Sequence, residues 1–419
     1  MNCEILSVGT ELLLGSTINT DAAELGILLA EMGVNVYWHS VVGDNPGRLH
    51  EAVMLARSRA DLIITTGGLG PTCDDLTKNV LAESFELSME YHPEEEQYIR
   101  ARLQKLNRPF TENNLQQAWL PAGCTVLHND WGTAPGCAFE QDGTAVIMLP
   151  GPPNECLPLF RHVAKPWLQT RVSDETIVSH NLRIFGMGES TVEYMLRDKM
   201  LTMTNPTLAP YAKTAEVMLR VTAKAKSEAA ADAMCAPVIE ELKALLGDVV
   251  YGVDKASLEA LCLRLLTERG QTLAVAESCT GGLLADRLTS VPGASAAFIG
   301  GGVTYWESAK QTLALVPRET IEQYTVISEE VALAMAEGIR RNLGADYGIG
   351  ITGLAGPDGD GVHPVGTIFV ALATPDGSFC RPLSGGVGRS RNRVKAASHA
   401  LDMLRRYLTN IPVLEENIK

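Results

Sequence analysis

At 419 residues the chain exceeds the roughly 250 to 300 residues that one hydrophobic core organises, so two or three domains are expected. Hydrophobic residues make up 46%, charged residues 20% and aromatics 5%, which excludes a disordered chain, and a formal charge of −15 sets an average field that repels nucleic acid and anionic membranes. Nine scattered cysteines without a C-x-x-C pair, no signal-peptide pattern and no apolar run of about 18 residues together predict a cytoplasmic protein with no membrane partner and no structural zinc.

From the N-terminus, short apolar runs at residues 4–8, 34–38 and 61–65 alternate with helical patterns at 22–32 and 49–58. That alternation predicts right-handed βαβ units and a mostly parallel sheet. A further strand at 144–149 leads through Pro150-Gly151-Pro152-Pro153 into a helix near 154–164, giving a first domain at 1–171. Residues 172–254 read as a small α+β linker module, with strands at 176–185 and 216–223, a helix at 190–201 and an alanine-rich helix at 227–246. It carries no nucleic-acid signature, and its acidic helix argues against one. Residues 255–415 form a third α/β domain, with strands at 272–277, 296–304, 347–352 and 366–373 between helical segments. The predicted class is therefore α/β throughout, with a small α+β insert.

In the first domain, Thr65-Thr66-Gly67-Gly68-Leu69-Gly70-Pro71-Thr72-Cys73-Asp74-Asp75 follows a strand and opens a helix. Gly67, Gly68, Gly70 and Thr72 stand where backbone amides approach a phosphate closely. Asp74 and Asp75 would repel a bare phosphate, so charge balance points to a divalent cation between them, identity unspecified. The plainer reading is a tight strand-to-helix turn whose aspartates favour the helix dipole. Glu11 and Asp44 also lie just past strand ends, where ligand crevices of open α/β sheets form.

In the third domain, Ala276-Glu277-Ser278-Cys279-Thr280-Gly281-Gly282 sets a hydroxyl at a strand end, with amides from Cys279 to Gly282 available to an oxyanion or phosphate. A serine needs a proton acceptor. His363 and His399 sit in less convincing settings than Tyr305 and Lys310, which flank the start of a helix after the loop at 300–304. Lys310 acts as a base only if burial or a nearby cation lowers its pKa. A third loop, Thr352-Gly353-Leu354-Ala355-Gly356, and the basic segment from Arg389 to Arg393 suit a 5′-phosphate, so a mononucleotide with a reactive amide is the expected ligand. Taken singly, each residue also has an ordinary reading: Ser278 as a cap, Tyr305 as core, Lys310 and the arginines as a solvated surface.

Jointly these segments resemble the competence/damage-inducible protein A (CinA) family. Gly9-Thr10-Glu11-Leu12-Leu13, Val42-Gly43-Asp44, residues 67–77, Gly132-Thr133-Ala134-Pro135-Gly136 and Leu149-Pro150-Gly151 carry the resemblance for the first domain. It implies a molybdopterin-binding fold and metal-dependent ADP-ribose pyrophosphatase activity with Asp44, Asp74 and Asp75 as acidic groups, molybdopterin being the competing ligand. Residues 277–282, Val303-Thr304-Tyr305 with Lys310, residues 328–332, 352–359 and Pro364-Val365-Gly366-Thr367 carry it for the third. This part is similar to nicotinamide-nucleotide amidohydrolases, which implies hydrolysis of nicotinamide mononucleotide by Ser278, Tyr305 and Lys310. Cys279, Thr280, Gly281, Gly282, Thr352, Gly353, Arg389 and Arg393 would bind substrate, and no cofactor is needed. Small-molecule nucleotides, a homodimer and no direct nucleic-acid contact are the expected partners. The alternative from another class is a non-catalytic competence or damage-response protein that binds a nucleotide or another protein.

Overall fold

The computed structural model describes residues 1–172, 175–254, 257–384, 386 and 388–414. The expected module limits at 171/172, 254/255 and 415 fall at or beside residues outside this set. The chain divides into two compact units, Met1–Val178 with Thr222–Cys235, and Ser179–Val221 with Ala236–Lys419.

The first unit is built on β1 (Asn2–Val8), β2 (Asn35–Val42), β3 (Leu62–Thr66), β6 (Thr125–Leu127), β7 (Gly136–Gln141) and β8 (Thr144–Leu149), in the order β2-β1-β3-β8-β7-β6. A two-stranded ribbon pairs β4 (Met89–Tyr91) with β5 (Trp119–Pro121). The pairs among β2, β1, β3 and β8 are parallel, while β7 and β6 run antiparallel. Strand β3 reads as a continuous apolar run because both its faces are covered. Leu62 and Ile64 pack with Leu25 and Phe160 on one side, and Ile63 packs with Leu49, Val53 and Phe85 on the other. Helix Pro46–Arg57 starts three residues before the expected 49, with Pro46 in the first turn and the Asn45 side chain accepting from the Arg48 amide at 3.0 Å.

β9 (Thr176–Ile184), β10 (Thr207–Lys213), β11 (Glu216–Ala225) and β12 (Val250–Val253), of which all but 176–178 and 222–225 belong to the second unit, form a sheet of order β10-β11-β9-β12. A five-stranded sheet follows, ordered β14-β13-β15-β16-β17, from β13 (Leu273–Glu277), β14 (Phe298–Val303), β15 (Tyr347–Gly353), β16 (Ile368–Thr374) and β17 (Gly377–Leu383). Strands β14, β13 and β15 are parallel, and β16 and β17 are antiparallel additions. Helices Leu258–Arg269 and Arg389–Leu408 pack on one face, and helix Glu329–Leu343 lies on the other. That last helix comes so close to β15 that a Cβ on Gly350 would stand 2.4 Å from the Ala332 carbonyl oxygen, so no larger residue fits there. No described helix is long and apolar enough to cross a membrane.

Candidate active site

The parallel register decides what meets at the edge of the five-stranded sheet. Glu277 pairs with Val303 on one side and Ile351 on the other, so the next residues of three strands, Ser278, Thr304 and Thr352, emerge together at their carboxyl ends. The Ser278 amide donates to the Ile351 carbonyl at 2.9 Å and the Thr304 amide to the Glu277 carbonyl at 2.7 Å, fixing both turns to the sheet. A cavity of about 200 Å³ opens there, lined among others by Ser278, Cys279, Tyr305, Lys310, Thr352 and Arg389.

Helix Glu307–Leu313 begins between Tyr305 and Lys310 and turns the amine inward. Lys310 is 2% exposed, and its Nζ lies 3.1 Å from Ser278 Oγ, 2.7 Å from the Thr304 carbonyl and 3.5 Å from the Tyr305 carbonyl. Burial pulls this amine from its ordinary 10.5 down to about 8, against the raising influence of Cys279 and Glu307. A neutral amine has two N–H groups and one lone pair. The ammonium form donates to both carbonyls and to the Ser278 hydroxyl, whereas the neutral form, its two N–H groups on the carbonyls, leaves the lone pair for the Ser278 proton.

Tyr305 lines the same cavity, but 57% of it is exposed, and its hydroxyl is paired with Arg389 Nη2 at 3.2 Å rather than with Ser278. The other arm of Arg389, Nη1, donates to the Gly356 carbonyl at 2.6 Å. Thr352 is buried and spends its hydroxyl on the Val326 carbonyl at 2.6 Å, so it shapes the wall more than it offers a donor. Gly353 lines the wall beside it. Arg393 is turned elsewhere: its Nε and Nη2 both donate to the Thr280 carbonyl, at 3.1 and 2.6 Å, bracing the serine loop from behind.

Glu277 is the residue that spacing alone left without a role. Its carboxylate, 1% exposed, accepts from the amides of Gly282 at 3.1 Å, Leu284 at 3.0 Å and Ala285 at 2.8 Å. It thus satisfies the start of helix Leu283–Thr289 internally. The Gly281 amide is also spent, on the Ser278 carbonyl. Of the four residues expected to present amides to substrate, Cys279 and Thr280 are those whose N–H groups donate to no other residue among those described. The sequence signal for Glu277 was an acidic residue just ahead of a helix start.

In the first unit, Gly68 adopts φ +68°, and a Cβ there would fall 2.1 Å from Thr77 Oγ1. The loop is held by Gln116, whose side-chain amide donates to the Gly70 and Thr72 carbonyls at 3.0 and 2.9 Å, while buried Lys78 donates to the Gln116 carbonyl at 2.7 Å. The Gly67 amide is used by Leu149, and the Thr72 amide and hydroxyl are used by Asp75 at 2.8 and 2.5 Å. The amides of Gly68, Leu69 and Gly70 keep no acceptor among the described residues. Asp44 is turned toward Thr10, accepting from its amide at 2.9 Å and its hydroxyl at 2.7 Å. Asp74 is exposed. Among the described residues no three His, Cys, Asp or Glu side chains are placed to hold one ion. Asp44 and Asp75 each accept from a local threonine, so a divalent cation shared by Asp44, Asp74 and Asp75 stays an expectation for chelation to test.

A buried serine–lysine pair at the ends of parallel strands, together with a separate glycine-rich strand-end loop, defines a multi-module α/β protein with two candidate ligand sites. Residues 4–170 match the probable molybdopterin binding domain, residues 179–252 the damage-inducible protein CinA KH domain, and residues 255–408 the CinA C-terminal domain. A CinA-like protein of Desulfovibrio desulfuricans is 47% identical over 418 residues, covering 99% of this chain and 97% of the relative. A putative competence-damage inducible protein of Clostridium botulinum is 44% identical, covering 97% of this chain and all of the relative. A crystal structure of the protein CinA from Thermoplasma acidophilum, 33% identical, covers 39% of this chain and 96% of its own, with a TM-score of 0.37. The chain belongs to the CinA family.

Proposed function

We propose that the Ser278 cavity hydrolyses the carboxamide of nicotinamide mononucleotide to nicotinate mononucleotide and ammonia. The observation that carries this reading is the 3.1 Å contact between Ser278 Oγ and a buried lysine amine whose remaining donors are taken by two carbonyls. Ser278 attacks the carboxamide carbon, and its proton passes to the lone pair of Lys310. The tetrahedral intermediate places its oxygen at the amides of Cys279 and Thr280, a contribution of about 3 kcal/mol for one such donor. As the C–N bond breaks, Lys310 returns the proton to the departing nitrogen, which leaves as ammonia. Water, deprotonated by the same amine, then cleaves the acyl-serine and frees the carboxylate. At about 200 Å³ the cavity is smaller than the ~300 to 1,000 Å³ typical of whole-ligand pockets, so it encloses the pyridine carboxamide and leaves the 5′-phosphate at the rim, where Arg389 and Tyr305 stand. Ammonia release from nicotinamide mononucleotide by the purified chain tests this, beside Ser278→Ala, which should lose at least about a thousandfold in rate. Release that is the same in both proteins overturns the serine mechanism.

A second reading concerns the first unit. The open amides of Gly68, Leu69 and Gly70 at a strand end suit a phosphate, and hydrolysis of a diphosphate such as ADP-ribose is the activity proposed for this loop. ADP-ribose turnover with and without chelator, and in Asp75→Ala, checks both the activity and its metal dependence. Turnover that survives chelation removes the metal from the proposal.

A further inference from the structure

A larger cavity, of about 560 Å³, is lined in part by helix Arg389–Leu408. Its walls come from the loop Phe185 to Glu189, from the turn joining β10 and β11 around Ala212 to Val217, and from that helix. The helix contributes Arg391, Lys395 and His399, spaced four apart and so aligned as one stripe. Arg391 has no partner among the described residues, and Lys395 reaches only the Ser384 carbonyl, at 3.4 Å. His399 Nδ1 lies 3.2 Å from Arg381 Nη1, and a guanidinium only donates, so Nδ1 accepts and the proton sits on Nε2. Burial and the cations Arg381 and Lys395 hold this ring neutral, with its pKa pulled down to about 3. The stripe therefore offers two cations and one neutral donor in a chain whose net charge is −15.

The facing walls supply different chemistry. Glu189 and Glu216 bring carboxylates, the latter already accepting from the Tyr251 hydroxyl at 2.8 Å, and Phe185, Met187 and Val217 bring apolar surface. A simple anion would use the cations and be repelled by the carboxylates. A nucleotide uses all three: phosphate on cations, ribose diol on carboxylate, base on apolar wall. The volume is in the range of whole-ligand sites, roughly 300 to 1,000 Å³. We propose that this cavity is a second nucleotide site, taking a nucleoside monophosphate with its phosphate on Arg391 and Lys395 and its ribose on Glu189 and Glu216. Asn392, which also lines it, donates through its side-chain amide to the Ala355 carbonyl at 3.0 Å, and Ala355 lines the Ser278 cavity.

Calorimetric titration of the full chain with AMP tests the site without relying on any reaction at Ser278. The expected result is saturable AMP binding that weakens by at least about tenfold in the double variant Arg391→Ala/Lys395→Ala, since two charge-assisted contacts are lost. Ala212→Trp, at an exposed position on the rim, should block the cavity and abolish binding. Both variants should melt at the parent temperature, and Lys310→Met should bind AMP as the parent does. No AMP binding by the parent, unchanged affinity in both cavity variants, or loss of AMP binding in Lys310→Met would each overturn the proposal, the last by placing AMP in the serine cavity.

Discussion

Replacing Lys310 by Met keeps the side chain's length and bulk and removes only the amine, so it separates catalysis from packing. Burial lowers this amine from 10.5 to about 8, and at 1.36 kcal/mol per pH unit the difference corresponds to about 3 kcal/mol of cost for holding the charged form inside the fold. Against that stand the hydrogen bonds to the Thr304 and Tyr305 carbonyls, worth about 1 kcal/mol each. The variant should consequently unfold at the same temperature as the parent or slightly higher. Its amidase rate should fall by ~10² to 10⁴, or about 3 to 5 kcal/mol of transition-state stabilisation, the usual worth of a positioned general base. Ammonia release from nicotinamide mononucleotide gives the rate, and thermal unfolding of the same preparation gives the stability. A variant that keeps a tenth or more of the parent's rate shows that Lys310 is not the base. One whose activity and melting temperature collapse together shows a structural lysine instead.

The pH profile follows from the same amine. Neutral Lys310 is the active form, so kcat/KM should rise about tenfold per pH unit up to a midpoint near 8 and level off above it, and Lys310→Arg, which stays protonated, should have no such limb. Glu277→Gln should lower kcat by more than it raises KM, because an amide oxygen replaces only part of the carboxylate's three amide contacts and the loop carrying Ser278 loosens; equal melting temperatures with an unchanged kcat would deny Glu277 a positioning role. Asp21 is 6% exposed, one of its carboxylate oxygens is unpartnered, and burial raises its pKa to about 6 despite the Cys156 thiol, which lowers it. A raised carboxyl contributes its full stability below its unfolded value near 4 and loses it as pH rises through about 6. Asp21→Asn should therefore gain on the parent by on the order of 1 to 3 kcal/mol between pH 4 and pH 8, read by denaturant unfolding at both; a pH-independent difference would show that the carboxyl does not titrate on folding.

The elements legible in the sequence include strands buried on both faces as well as the partly exposed β2 and β14. β1, β3, β8, β13 and β15 announce themselves as apolar-rich runs closed by Gly, Pro or Ser, and the loops after β3, β13 and β15 are where the candidate sites stand. The strands that the sequence reading lacks are at or near sheet edges or short. β17 carries Pro382 and covers only part of the core, β12 is four residues long, and β10 holds Pro210 and exposed Tyr211. Within the sites, residue type and position at a strand end were legible for Ser278 and Lys310, because a parallel register and a helix start between 305 and 310 leave few directions for the amine. Pairings made by long or short polar side chains were not. Nothing in spacing tells that Arg393 reaches back to Thr280, that Tyr305 faces Arg389, or that Asp44 turns to Thr10.

The two strand-end loops begin from the same geometry and arrive at different chemistry through one choice, namely which amides a nearby carboxylate consumes. At Ser278, Glu277 takes the first amides of the following helix, so the helix end is neutralised from within and the site keeps a hydroxyl, a low-pKa amine and the two amides of Cys279 and Thr280. Such a set is matched to a neutral carbonyl that becomes an oxyanion during reaction. At Gly68 to Gly70 the nearby carboxylates of Asp44 and Asp75 are satisfied by Thr10 and Thr72, and three successive residues keep open amides. That set is matched to a group already anionic before reaction begins. The position of a single acidic side chain, one residue before the loop in one unit and at its far end in the other, thus separates a nucleophile's site from an anion cradle on otherwise similar strand-turn-helix frames.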